Sequence, residues 1–154
     1  MPAVKAARRS LLTRIGGIAA AVALGIGGAV GIATPASAAL SDCQDGRTCV
    51  WKDTGYSTGG FGNIQYSFVN GIAKFSNYYW GIGQWGSLDK NVSSVYNNGN
   101  QQRSYLKYGT GFSGTTAANL GIKQGISNLG THSDKSSSGG FEWCVNNPTS
   151  YLCT

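Results

Sequence analysis

Glycine occupies 24 of the 154 positions, more than twice the ordinary share of about 7%. In a helix interior each glycine costs roughly 1 kcal/mol relative to alanine. A chain this rich in glycine is poorly suited to long helices. Charged residues make up only 12%, about half of the ~25% that is usual, so a charged helical bundle or coiled coil is excluded as well. Seventeen aromatic residues (4 Trp, 8 Tyr, 5 Phe) supply more apolar surface than a solvated, disordered chain carries. Short strands joined by tight turns satisfy all three facts.

The formal charge of +6 points towards nucleic acid or a membrane surface until its location is considered. Lys5, Arg8, Arg9 and Arg14 open the chain, Ile15 to Ile32 is an uncharged apolar run, and Ala36-Ser37-Ala38 has the small-x-small form of a cleavage site. This pattern predicts a secretory leader over residues 1–38. A membrane anchor is the rival, because the run is about long enough to span a bilayer, but no basic stop follows it. Residues 39–154 then form the mature domain. They keep eight basic and six acidic residues, a net charge of +2. No basic run remains, so no electrostatic footprint for nucleic acid is left. The expectation is a secreted monomer that leaves the membrane once its leader is removed.

Cys43, Cys49, Cys144 and Cys153 are the only cysteines, and an even count in an exported chain predicts disulfides. Local pairing, Cys43–Cys49 and Cys144–Cys153, is preferred, because Asp45-Gly46 and Asn147-Pro148 let each short loop turn back. Pairing across the fold is the alternative. A zinc site lacks support, with one histidine and no Cys-x-x-Cys.

Residues alternate around Ile64, Tyr66 and Phe68. Tyr105–Tyr108 and Phe141–Val145 also read as strands, while residues 70–77 have room for one helical turn at most. Gly59-Gly60, Asn98-Gly99, Gly109-Thr110-Gly111 and Gly139-Gly140 read as turns. Two passages repeat. Val50-Trp51-Lys52-Asp53-Thr54-Gly55-Tyr56-Ser57 matches residues 106–113 at a separation of 56, and Asp89–Ser94 matches Asp134–Ser138 at a separation of 45. The expectation is an all-β sandwich built from two duplicated halves, residues 42–98 and 99–154.

Cys43-x5-Cys49-Val50-Trp51-Lys52-Asp53, followed by Gly55-Tyr56 and Gly59-Gly60, resembles the βγ-crystallin-like proteins of bacteria, in particular peptidase inhibitor family I36. Leu88-Asp89-Lys90-Asn91-Val92-Ser93-Ser94-Val95-Tyr96-Asn97-Asn98 carries the same resemblance. It implies a βγ-crystallin-like double Greek-key sandwich and inhibition of extracellular metalloproteinases. In such a hairpin an aromatic residue folds over and a glycine with positive φ bends the chain back. Trp51, Tyr56 and Gly59 would play these parts in the first half, and Phe112 and Gly114 in the second, where Lys107 stands in place of an aromatic.

The resemblance also brings a calcium motif of two Asp/Asn, two variable positions and Ser/Thr-Ser. Asp89, Ser93 and Ser94 match it, with Lys90 in the second place. Asp134 and Ser138 match it more loosely, with Lys135 intruding. Calcium takes six to eight oxygens. The alternative is that these side chains bond turn backbone.

Catalysis is not expected. His132 sits in a polar turn, the cysteines are committed to bridges, and Glu142 is the only glutamate. The resemblance implies a reactive Cys–Val bond in a disulfide-closed loop, which here falls on Cys144 and Val145. A chain-end staple is the alternative role for that loop. Val50, in the other Cys–Val bond, reads as a buried strand residue. A second class of function remains, a cell-wall or carbohydrate binder. Tyr78, Tyr79, Trp80 and Trp85 lie in a charge-free stretch where they would either stack on sugars or fill the core.

Overall fold

In a computed structural model of the chain, residues 38–57, 65–81 and 86–153 are described. The leader, apart from Ala38, lies outside them, as do Gly59, Gly60, Ile64 and Trp85. Eight strands are present among the described residues: β1 Thr48–Trp51, β2 Gln65–Phe68, β3 Gly71–Ile72, β4 Ser94–Asn97, β5 Ser104–Lys107, β6 Thr116–Leu120, β7 Gln124–Ile126 and β8 Ser138–Phe141. Two short helices flank them, α1 Ala38–Ser41 and α2 Glu142–Asn146.

The strands form two antiparallel four-stranded sheets, ordered β2-β1-β4-β7 and β3-β8-β5-β6. The second order, reversed, is the first moved on by four strands, with β3 in the place of β7. Each half therefore keeps its first, second and fourth strands together and gives its third to the other sheet. Two interlocked Greek keys result, the all-β double Greek-key sandwich that the resemblance implied. Val50, Phe75, Trp80, Leu88, Val95 and Leu106 fill the space between the sheets and are fully buried.

The first repeat holds in three dimensions. Gly55 and Tyr56 have φ of 71° and 56°, and Gly111 and Phe112, 56 residues on, have 64° and 60°. Left-handed backbone is cheap for glycine but costs an aromatic residue about 1–2 kcal/mol. A buried serine secures each bend. Ser94 Oγ accepts the Tyr56 N–H at 3.2 Å and donates to the Asp53 carbonyl at 2.7 Å. Ser138 Oγ accepts the Phe112 N–H at 3.0 Å and donates to the Gly109 carbonyl at 2.7 Å.

The second repeat is one residue out of step with the sequence match. The Ser93 N–H bonds the Trp51 carbonyl, and the Ser137 N–H bonds the Lys107 carbonyl. Ser94 thus corresponds to Ser138, a separation of 44. Asp134 corresponds to Lys90, which shares its positive φ, and not to Asp89. The buried serines obey the symmetry because backbone depends on them. The turn surface, facing water, is free to differ.

Two local expectations are corrected. Gly139-Gly140 is not a turn but the centre of β8. A Cβ on Gly139 would meet Leu106 Cδ2 at 2.7 Å, and one on Gly140 would meet Phe112 Cε1 at 2.9 Å. Side chains cross both faces of the strand so closely that only glycine fits. Likewise 141–145 is not one strand. β8 ends at Phe141 and α2 begins at Glu142, a turn that carries Cys144 back against Phe112 and towards Cys153.

Ser94→Ala and Ser138→Ala each leave a left-handed N–H and a turn carbonyl without their partner. Each is expected to cost about 1–3 kcal/mol in urea unfolding. Gly139→Val is expected to cost about 1–3 kcal/mol or more through overpacking; a variant as stable as the parent would show that the strand can move away from Leu106.

Candidate functional site

Both disulfides are the local ones, Cys43–Cys49 and Cys144–Cys153, with Cα–Cα separations of 5.8 and 5.4 Å. Each lies against the left-handed aromatic of its own half. Cys43 and Cys49 pack with Trp51 and Tyr56, whose rings meet edge to face at 5.2 Å. Cys144 and Cys153 pack with Phe112. Lys107, in the position of Trp51, instead donates to Thr116 Oγ1 at 2.7 Å.

Large apolar side chains are exposed at the C-terminal end of the domain. Trp143 is 43% exposed, Tyr151 83% and Leu152 45%, three of the six large exposed apolar residues among those described. Beneath them Cys144 and Cys153 are buried. A short 3₁₀ turn over Tyr151–Cys153 and the Asn147 side chain, bonded to the Trp143 carbonyl at 2.8 Å, shape the loop. Leu152 borders a groove of about 180 Å³ beside β2, shared with Arg47, Tyr66 and Tyr78. The Tyr66 and Tyr78 rings meet edge to face at 5.5 Å. Burial, with the neighbouring Tyr78, raises the Tyr66 phenol above its ordinary pKa.

Cys144 and Val145 both lie within α2. Cys144 is buried, and Val145 is half-buried against the Phe112 cluster. The bond between them is thus presented in helical rather than extended backbone. Val50, in the other Cys–Val bond, is fully buried in β1.

The calcium-motif residues divide. Ser93 Oγ donates to Asp134 Oδ1 at 3.2 Å, which joins residues of the two halves. Ser94 and Ser138 are fully buried with their hydroxyls committed to the bends. Asp89 lies half-buried beside the Lys90 turn. Where one half offers Asp134, the symmetric position holds Lys90, a cation that repels a dication. No group of three or more His, Cys, Asp or Glu side chains converges among the described residues. Ser93 and Asp134 thus bring together one hydroxyl and one carboxylate of the six to eight oxygens that calcium takes.

His132 Nδ1 pairs with the Tyr108 hydroxyl at 2.6 Å, and Glu142 is 3.4 Å from the Tyr105 hydroxyl. Each is thus paired with a tyrosine rather than with a serine, threonine or cysteine. Trp80 is core, Tyr78 packs against the core, and Tyr79 is exposed, so Trp80 and Tyr79 do not form one exposed face. A feature absent from the sequence reading is the cross-strut between Asp45 and Lys123. The Lys123 ammonium bonds Asp45, the Asn98 carbonyl and Asn98 Oδ1. Asn100 Nδ2 donates to the other Asp45 oxygen at 2.7 Å. These residues are 25 to 78 positions apart, beyond any local motif.

The fold is a double Greek key with a disulfide-closed loop at its C-terminal end. The chain belongs to peptidase inhibitor family I36, whose family model matches residues 36–119. Its role is accordingly that of a non-catalytic peptidase inhibitor. No curated protein matches the chain. Among solved structures it is similar to a βγ-crystallin from Ciona intestinalis, at 17% identity over 63% of this chain and 100% of that one, TM-score 0.44. It is also similar to spherulin 3a from Physarum polycephalum, at 18% identity over 65% and 85%, TM-score 0.44. The fold assignment rests on the strand order given above. No helix among the described residues is long and apolar enough to cross a membrane.

The Lys123 hydrogen bond, followed by that from Asn100, holds the Asp45 carboxyl below its ordinary value of 3.8. A lowered folded pKa adds stability above the unfolded value and loses it as pH falls through the folded one. Lys123→Met is therefore expected to raise the Asp45 pKa towards 3.8 in an NMR titration. It should also flatten the stability loss below about pH 4. An unchanged Asp45 titration would show that the strut is not formed in solution.

Proposed function

We propose that the protein is exported and blocks extracellular metallopeptidases with the exposed face of its C-terminal loop. The observation that carries this reading is the exposure of Tyr151 and Leu152 on a loop closed by Cys144–Cys153, with the exposed Trp143 next to Cys144 in the chain. Aromatic side chains dominate the energetics of protein interfaces. A loop already ordered by a disulfide loses little conformational freedom on binding. The groove beside Leu152, with Tyr66, Tyr78 and Arg47, gives a partner's side chain somewhere to enter. The metallopeptidase class comes from the resemblance to inhibitors of that kind, and export is consistent with two disulfides.

In this reading the loop occludes the cleft with side chains. The Cys144–Val145 bond need not enter the peptidase as a substrate would, since that would require α2 to unwind and Val145 to leave its packing.

The test is inhibition of thermolysin, with subtilisin as a serine-peptidase comparison. Tyr151→Ala is expected to weaken thermolysin inhibition about tenfold, the effect of losing roughly 1.4 kcal/mol at an interface. Val145→Gly should act like a modest stability variant. If Tyr151→Ala and Trp143→Ala inhibit as the parent does, the loop face is not the contact. If mass spectrometry finds a slow cut between Cys144 and Val145, the reactive-bond mechanism replaces occlusion.

A further inference from the structure

The two halves are joined by the loop Asn98-Gly99-Asn100-Gln101-Gln102-Arg103 between β4 and β5. A cleft of about 240 Å³ opens beside it. Asn100, Gln101 and Gln102 line one side, and Val69 and Phe141 form an apolar wall. No residue lining the cleft is charged. Gly99 makes the arrangement possible, since a Cβ there would meet Phe141 Cε1 at 2.5 Å.

Two of the carboxamides are held in known orientations. Gln102 Oε1 accepts the Trp143 backbone N–H at 2.9 Å. A backbone N–H can only donate, so this contact assigns the oxygen and leaves the Gln102 amino group to donate elsewhere. Asn100 Nδ2 donates to the Asp45 carboxylate at 2.7 Å. A carboxylate can only accept, so Asn100 Oδ1 is left as an acceptor. The charge of Asp45 is already matched by Lys123. One positioned donor and one positioned acceptor therefore stand beside an apolar wall.

The ligand that complements these groups is neutral. An anion finds no cation in the lining, a cation finds no carboxylate there, and a hydrocarbon chain would leave both amides unpaired. Neighbouring hydroxyls meet a fixed donor and a fixed acceptor equally well, because each hydroxyl does both. The C–H face of a pyranose suits Val69 and Phe141. The volume lies below the ~300 Å³ at which pockets for drug-sized ligands begin, which limits the ligand to about one ring. An extended peptide would seek a free strand edge, whereas Asn100 to Gln102 lie in a loop.

We propose that this cleft binds one pyranose ring of a neutral saccharide. The site adjoins the peptidase-binding face, since Val69 lines both the cleft and the Leu152 groove, but it does not depend on that reading. It differs too from the Tyr79–Trp80 stretch, whose tryptophan is core. On a polysaccharide surface, such a site would tether the inhibitor.

The experiment is a ¹H–¹⁵N NMR titration of the purified protein with glucose, galactose, mannose and N-acetylglucosamine, each to about 50 mM, because one ring in an open cleft binds at roughly millimolar strength. At least one sugar should give saturable shifts at Gly46, Gly99, Asn100 and Gln102. Gln102→Glu keeps an acceptor for the Trp143 N–H and removes the donor, and should weaken binding about tenfold or more. Asn100→Ala, at an exposed position, should weaken it likewise and serves if Gln102→Glu fails to fold. The proposal is overturned if none of the four sugars gives saturable shifts at these residues. Saturable shifts centred elsewhere, such as at Tyr79, or undiminished affinity in both variants, would overturn it too.

Discussion

One hydroxyl group in each half governs the fold. Ser94 and Ser138 are fully buried, and each holds a bend closed by accepting from a left-handed aromatic and donating to a turn carbonyl. Without that contact the strained φ at Tyr56 and Phe112 has no local compensation, and two backbone groups lose their partners. With it, the bend lies back over its sheet and the aromatic ring turns against a disulfide.

The same geometry explains why two halves make one domain. Each Greek key gives its third strand to the opposite sheet, so neither sheet is complete without both halves. The core then has contributors from the whole chain, including Val50 and Phe75 from the first half and Leu106 and Leu120 from the second. A scaffold locked in this way can present loops at little entropic cost. The C-terminal loop carries exposed apolar side chains on that scaffold, and the inter-half cleft carries oriented amides. The family assignment to peptidase inhibitors suits such a scaffold.

Much of this was legible in the residues. Strand signals at Val50 and over Tyr105–Tyr108, the local disulfides and the 56-residue repeat all depend on short-range chemistry. The errors arose where distant contacts decide. Gly139-Gly140 looked like a turn because glycine marks turns, but here it marks a strand crossed closely by Leu106, Phe75 and Phe112. Phe141–Val145 has the apolar content of a strand, but a helix begins at Glu142 and carries the Cys144 that closes onto Cys153. The second repeat was misaligned by one residue, because Asp-Lys pairs drew the match while the buried serines set the correspondence.

By itself, the sequence determined the class of fold and its duplication. Glycine content, strand-length apolar runs, turn residues and cysteine spacing are local properties, and they leave few architectures open. The tertiary structure alone decided which serines brace the bends. It also brought Ser93 to Asp134, Asp45 to Lys123, and Asn100, Gln102 and Phe141 into one cleft. Apart from Asn100 and Gln102, those contacts span tens of positions, and they follow from the sheet topology: β5 pairing with β8 brings Phe141 to the Asn98–Arg103 loop, and β7 pairing with β4 brings Lys123 near Asn98.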